Sequence, residues 1–140
     1  MFLEENDYRV VCCEADLDVI TQSSDDIRQQ AERIAMDEIA GYVRARYDIE
    51  AAYAAEGAER CPLLVQMTVS VALYYLGMWL PQFMASEVRE TLYENAINRL
   101  KDIQRGAFTP DLPAYPPDDK GNDTTNPMRY GSMAAQRYDY

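Results

Sequence analysis

Residues Pro62–Leu80 read PLLVQMTVSVALYYLGMWL, a stretch with no charged side chain in a chain of which 26% is charged. The uncharged run extends from Cys61 to Ser86, with Arg60 before it and Glu87 after it. Such a segment has to be hidden from water, in lipid or in a protein interior. Its length suits a membrane span. Its composition does not: Gln66, Thr68 and Ser70 place polar groups near one end, and no Lys/Arg cluster flanks the run to set an orientation. Pro62 suits a first helical turn, and Gly77 and Pro81 mark an end. Leu63, Leu64, Met67, Val71, Tyr74, Tyr75 and Met78 recur at three- and four-residue spacing, the pattern of one helix face. We read the stretch as a central buried helix, with Leu64, Met67, Val71, Tyr74, Tyr75 and Met78 as its core positions.

On either side the pattern is amphipathic. From Asp25 to about Tyr47, Ile27, Ala31, Ile34, Ala35, Ile39, Tyr42 and Val43 form an apolar side, and Asp26, Arg28, Gln29, Glu32, Arg33, Asp37 and Glu38 a polar one. Ser23 with Asp26 resembles a helix start. After the central run, Ser86 serves as a cap for a helix to about Gln104. Val88, Leu92, Ala96, Leu100 and Ile103 face inward, and Arg89, Glu90, Glu94, Arg99, Lys101 and Asp102 outward, with Gly106 as the stop. Residues 3 to 20 suit two short helices broken near Cys12 or Cys13, and Asp48 to Arg60 a loop with a helical turn. The expected fold is all-α: a small helical bundle around a central apolar helix, without strands.

At Gly106 the composition changes. Residues 109–127 hold five of the seven prolines and cannot continue a helix or a central strand. The division predicted is a helical domain over 1–108 and an extended Pro-rich C-terminal arm over 109–140. The arm ends in MRYGSMAAQRYDY, rich in residue types that anchor protein interfaces, so Arg129, Tyr130, Arg137, Tyr138 and Tyr140 are its predicted docking residues.

Composition bounds the chemistry. A net charge of −11 is a poor match to a protein that grips phosphates. The chain has no His, which removes the commonest general base and the triads built on it. Cys12, Cys13 and Cys61 fit neither a disulfide framework nor a C-x-x-C metal site and suit buried thiols of an intracellular protein. MFLEENDYR lacks a basic region followed by an apolar run, so no signal peptide is expected. Glycine-rich phosphate loops and nucleophile elbows are missing, and the carboxylates of Glu4, Glu5, Asp7, Asp16 and Asp18 read as helix-start and surface charge. No enzyme, metal site or cofactor is expected.

The order of features resembles a known family. An M-F-L-x-x-x-D-Y start, the segment Ile39-Ala40-Gly41-Tyr42-Val43-Arg44-Ala45-Arg46-Tyr47, a Pro62-initiated apolar helix and the segment Ala96-Ile97-Asn98-Arg99-Leu100-Lys101-Asp102-Ile103-Gln104-Arg105-Gly106 are similar to the head–tail connector (adaptor) proteins of tailed bacteriophages, in particular the Mu-type set. The pieces I-x-x-Y-x-x-x-R-Y and L-x-D-I-x-x-G carry most of the match, which covers residues 1 to about 108. The resemblance implies a helical bundle that forms a homo-oligomeric ring, commonly of twelve copies, between the portal protein and a tail or second connector protein. DNA would pass through its channel without specific binding, and the protein would reside in the virion. A soluble acidic interaction module, such as a DNA-mimicking regulator, is the alternative, and a protein spanning a membrane through Pro62–Leu80 is disfavoured.

Overall fold

The computed structural model describes residues 2–11, 25–79 and 87–116. Among these there are five α-helices and no strand: α1 (Glu5–Tyr8), α2 (Asp25–Val43), α3 (Ile49–Ala54), α4 (Pro62–Trp79) and α5 (Glu87–Arg105), with a 3-10 turn at Gly57–Glu59 before α4. The all-α architecture is the one the periodicity predicts. No helix among the described residues is long and apolar enough to cross a membrane.

Helix α4 is the axis of the bundle and packs against α2, α5 and α1. Leu64, Met67, Val69, Val71, Ala72, Leu73 and Leu76 are buried, so the helix is covered on more than one face. Thr68 and Ser70 are buried as well. Their hydroxyls donate to the carbonyls one turn back, Thr68 to Leu64 at 2.7 Å and Ser70 to Gln66 at 2.9 Å, so burial leaves no unpaired donor.

Burial along the predicted core face fades toward the C-terminal end of α4. Leu64, Met67 and Val71 are enclosed, Tyr74 and Tyr75 are half-buried, and Met78 is 59% exposed. Met78 is therefore not a core residue: it shares the face but lies in the last turn, where that face emerges from beneath its neighbours. Val88, expected inward, is 67% exposed, while Arg89, expected outward, is buried. The inward stripe of α5 is Ala96, Ile97, Leu100 and Ile103. Extended back by seven residues from Ala96 it passes through Arg89, which turns Val88 toward water. Helix α2 departs similarly, because Ile34 is exposed and Glu32 is buried at 2% exposure.

Residues on α2 and α5 meet in parallel order: Tyr93 reaches Glu38, and Arg46, just beyond α2, reaches Gln104. The N-termini of these helices thus share one end of the bundle and the C-termini the other, with α4 running against both. After Gly106 the chain folds back over the C-terminal end. Pro110 and Leu112 are buried, the Asp48 amide donates to the Pro113 carbonyl at 2.8 Å, and the Tyr115 hydroxyl donates to the Arg44 carbonyl at 2.8 Å. The packed unit therefore reaches Tyr115, and the first residues assigned to the C-terminal arm adhere to the bundle.

Candidate functional site

The two segments that carry the family resemblance come together in space. Arg46, from I-x-x-Y-x-x-x-R-Y, donates through Nε to the carbonyl of Gln104, 3.1 Å away and inside L-x-D-I-x-x-G. Its guanidinium then lies over Gly106. That glycine has φ +79°, a conformation costly for other residues, and a Cβ there would sit 2.9 Å from Arg46 Nη1. The Ala107 amide donates to the Asp102 carbonyl, closing the helix end that turns the chain back. The paired motifs thus clamp the C-terminal ends of α2 and α5.

Two carboxylates placed outside by the sequence pattern lie inside the bundle, in unequal settings. Glu38 accepts from the Tyr75 hydroxyl at 3.0 Å through one oxygen and from the Tyr93 hydroxyl at 2.9 Å through the other, joining α2, α4 and α5. Tyr74 stacks on Tyr93, with ring centroids 4.0 Å apart. Burial and then the hydrogen bond to Glu38 push the Tyr75 phenol up to about 12, and the same causes raise Tyr93 further.

Glu32 accepts from the Tyr8 hydroxyl at 2.6 Å, tying α1 to α2, and has Arg28 Nε at 3.7 Å. Its Oε2 has no hydrogen-bond partner among the described residues. Burial raises its carboxyl above the ordinary value of 4.5, opposed by the Tyr8 hydrogen bond and the Arg28 charge. The pattern missed both carboxylates because their partners, Tyr8, Tyr75 and Tyr93, lie 24, 37 and 55 residues away.

Arg60 fastens the N-terminal segment. Its Nη1 donates to the Phe2 carbonyl at 2.8 Å and to Asp7 Oδ2 at 2.6 Å, Nη2 to Asp7 Oδ1 at 3.3 Å, and Nε to the Gly57 carbonyl at 3.2 Å. The hydrogen bond to Asp7 is the main cause of its raised pKa. Phe2 in turn packs edge-on against Tyr53, with centroids 4.8 Å apart. Glu4 and Asp7, read as helix-start and surface charge, both pair with Arg60, Glu4 through Oε1 at 3.5 Å from Nη2.

These contacts are structural clamps, and no cluster of carboxylates and thiols suited to holding a metal occurs among the described residues. The predicted docking residues Arg129, Tyr130, Arg137, Tyr138 and Tyr140, and the caps Ser23 and Ser86, lie outside the described residues. Of the six predicted core positions of α4, Tyr74 and Tyr75 join the Glu38 cluster.

Residues 4–127 match the model of the family described as Bacteriophage Mu, Gp36. The chain belongs to this phage family. The match covers α1 to α5, both clamped motifs and the fold-back to Tyr115. Membership in the Gp36 family points to a phage structural or morphogenesis protein associated with the virion. No curated protein matches the chain, and no solved structure does.

Proposed function

We propose that this Gp36-family chain is a head–tail connector, or adaptor: a structural virion protein without catalytic activity, which forms a ring beneath the portal and continues the DNA channel toward the tail. The observation that carries the reading is the family match over residues 4–127, across the helical unit and into the predicted arm. Physical features support it. Clamps at Arg60, Glu38 and Arg46 tie the helices into one building block, and the outward faces of α2 and α5 offer two different surfaces to neighbouring copies, as a heterologous ring contact needs. A net charge of −11 repels phosphates, so DNA can pass without adhering. The arm beyond residue 116, with Arg129, Tyr130, Arg137, Tyr138 and Tyr140, reaches the portal or a tail-side protein as a tethered second contact.

The test is purified chain mixed with the portal of the same phage, followed by light scattering and electron microscopy. The reading predicts rings seated on the portal. Persistent monomer with no portal binding sinks it. The acidity also suits a DNA mimic on a basic partner, and competition between DNA and the chain for such a partner, without ring assembly, would favour that reading instead.

A further inference from the structure

The outward face of α5 is divided by charge. Glu87, Glu90, Glu94, Asn98, Lys101 and Arg105 follow one another at three- and four-residue spacing, and all are exposed. They form one stripe opposite the buried Ala96, Ile97, Leu100 and Ile103. Its first half carries three carboxylates and its second half Lys101 and Arg105. None of these five charged groups is ion-paired with another described residue. In a chain of net charge −11, an unpaired lysine and arginine on one exposed stripe form a local surface that attracts carboxylates.

A stripe of this polarity is complementary to itself when reversed. We propose that the α5 face is a docking surface for a second copy of this chain, pairing antiparallel about a two-fold axis. With Glu90 opposite Arg105 and Glu94 opposite Lys101 of the second copy, symmetry supplies the reciprocal pairs, four in all. The orientation matters: parallel pairing of two α5 stripes would set Glu87, Glu90 and Glu94 beside the same residues of the second copy, like charges together. Antiparallel pairing sets opposite charges together.

An isologous contact closes on itself at two copies. It occupies the α5 face, so it is a state of the free protein and excludes a ring contact through the same surface. The polarity of the stripe also favours the α5 macrodipole, an effect on folding that does not require a second copy. Exposed ion pairs are individually weak and screened by salt, so the dimer is weak and sensitive to salt.

Sedimentation velocity on the full chain, without portal, tests this through two double variants, Glu90→Lys with Glu94→Lys, and Lys101→Glu with Arg105→Glu. Wild type should dimerise at about 0.1 M salt, where a Debye length of about 10 Å screens the repulsion between two acidic bodies more than the contacting pairs, and dissociate at about 1 M, where it falls to about 3 Å. Each double variant alone should raise the dissociation constant about tenfold or more while its far-UV circular dichroism stays that of wild type. Mixed together, the two variants should form a heterodimer. Their net charges shift by four units from −11, to −7 and −15, so both remain acidic and bulk attraction does not account for the complex. A wild type that stays monomeric at about 0.1 M salt, or folded variants that dimerise as wild type does, overturns the proposal. Ring formation on the portal is a separate measurement, so failure of this pairing and failure of the connector reading are different results.

Discussion

Helices α4 and α5 are similar in length, 18 and 19 residues, and meet their surroundings in opposite ways. In α4 even the hydroxyls of Thr68 and Ser70 are enclosed and bonded within the helix. In α5 one stripe is buried and the opposite stripe carries unpaired charges of both signs. Helix α4 therefore sets whether the chain folds, and α5 presents surface that decides what the folded chain meets. A helix enclosed by its own subunit has little left to offer a partner, so the connector proposal assigns assembly to the outer helices and the C-terminal arm.

Substitutions should separate these roles. The largest effect on folding is expected inside α4. Leu73→Ala, at a side chain 2% exposed and flanked by buried neighbours, should lower the unfolding free energy by about 2–5 kcal/mol in urea titrations. A loss below about 1 kcal/mol would mean that α4 is not the packed axis described here.

The boundary between the roles is the Glu38 cluster, where the interior helix and both outer helices meet. Glu38→Ala removes the acceptor of two half-buried phenols and should cost about 1–3 kcal/mol. Glu38→Gln keeps one acceptor oxygen and should cost less. Equal losses in the two variants would show that packing of Tyr74 on Tyr93, and not hydrogen bonding, holds the junction.

At the clamped end, Gly106→Ala forces a side chain into a left-handed conformation and against Arg46, with an expected cost of about 1–2 kcal/mol. In the Arg46→Ala background the steric part of that cost should disappear, so a double-mutant cycle should be non-additive. Simple additivity would break the link between the two motif segments.

The smallest effect at neutral pH is expected at Glu32. Burial raises its folded carboxyl, so its contribution to stability is fully present below about pH 4.5 and is lost as pH rises through the raised folded value. Glu32→Gln keeps an acceptor for Tyr8 and should flatten the stability–pH profile above pH 4.5, with less stability lost on going to neutral pH than in wild type. An unchanged profile would show that Glu32 is not the buried titrating group.

Much of the fold was legible because hydrophobic periodicity reports directly on which helix faces are buried. The charge-free run placed α4, Pro62 its start, and the flanking stripes α2 and α5. Three kinds of information were not local. Glu32 and Glu38 look like outward charge until tyrosines from distant segments are brought to them. Arg60 looks solitary until Phe2 and Asp7 fold onto it. The exchange of Val88 and Arg89 depends on the rotation of α5 in its first turn, which periodicity fixes only loosely at a helix end. The motif pieces were recognisable in sequence, whereas their meeting at Arg46 and Gly106 required the structure.

The connector reading is tested most directly by electron microscopy of the full chain assembled with its portal. The account predicts a closed ring of this chain on the portal, coaxial with the DNA channel, with α4 inside each subunit and away from every subunit contact. A portal that stays bare at saturating chain, or a chain seated as isolated copies without a ring, would contradict it.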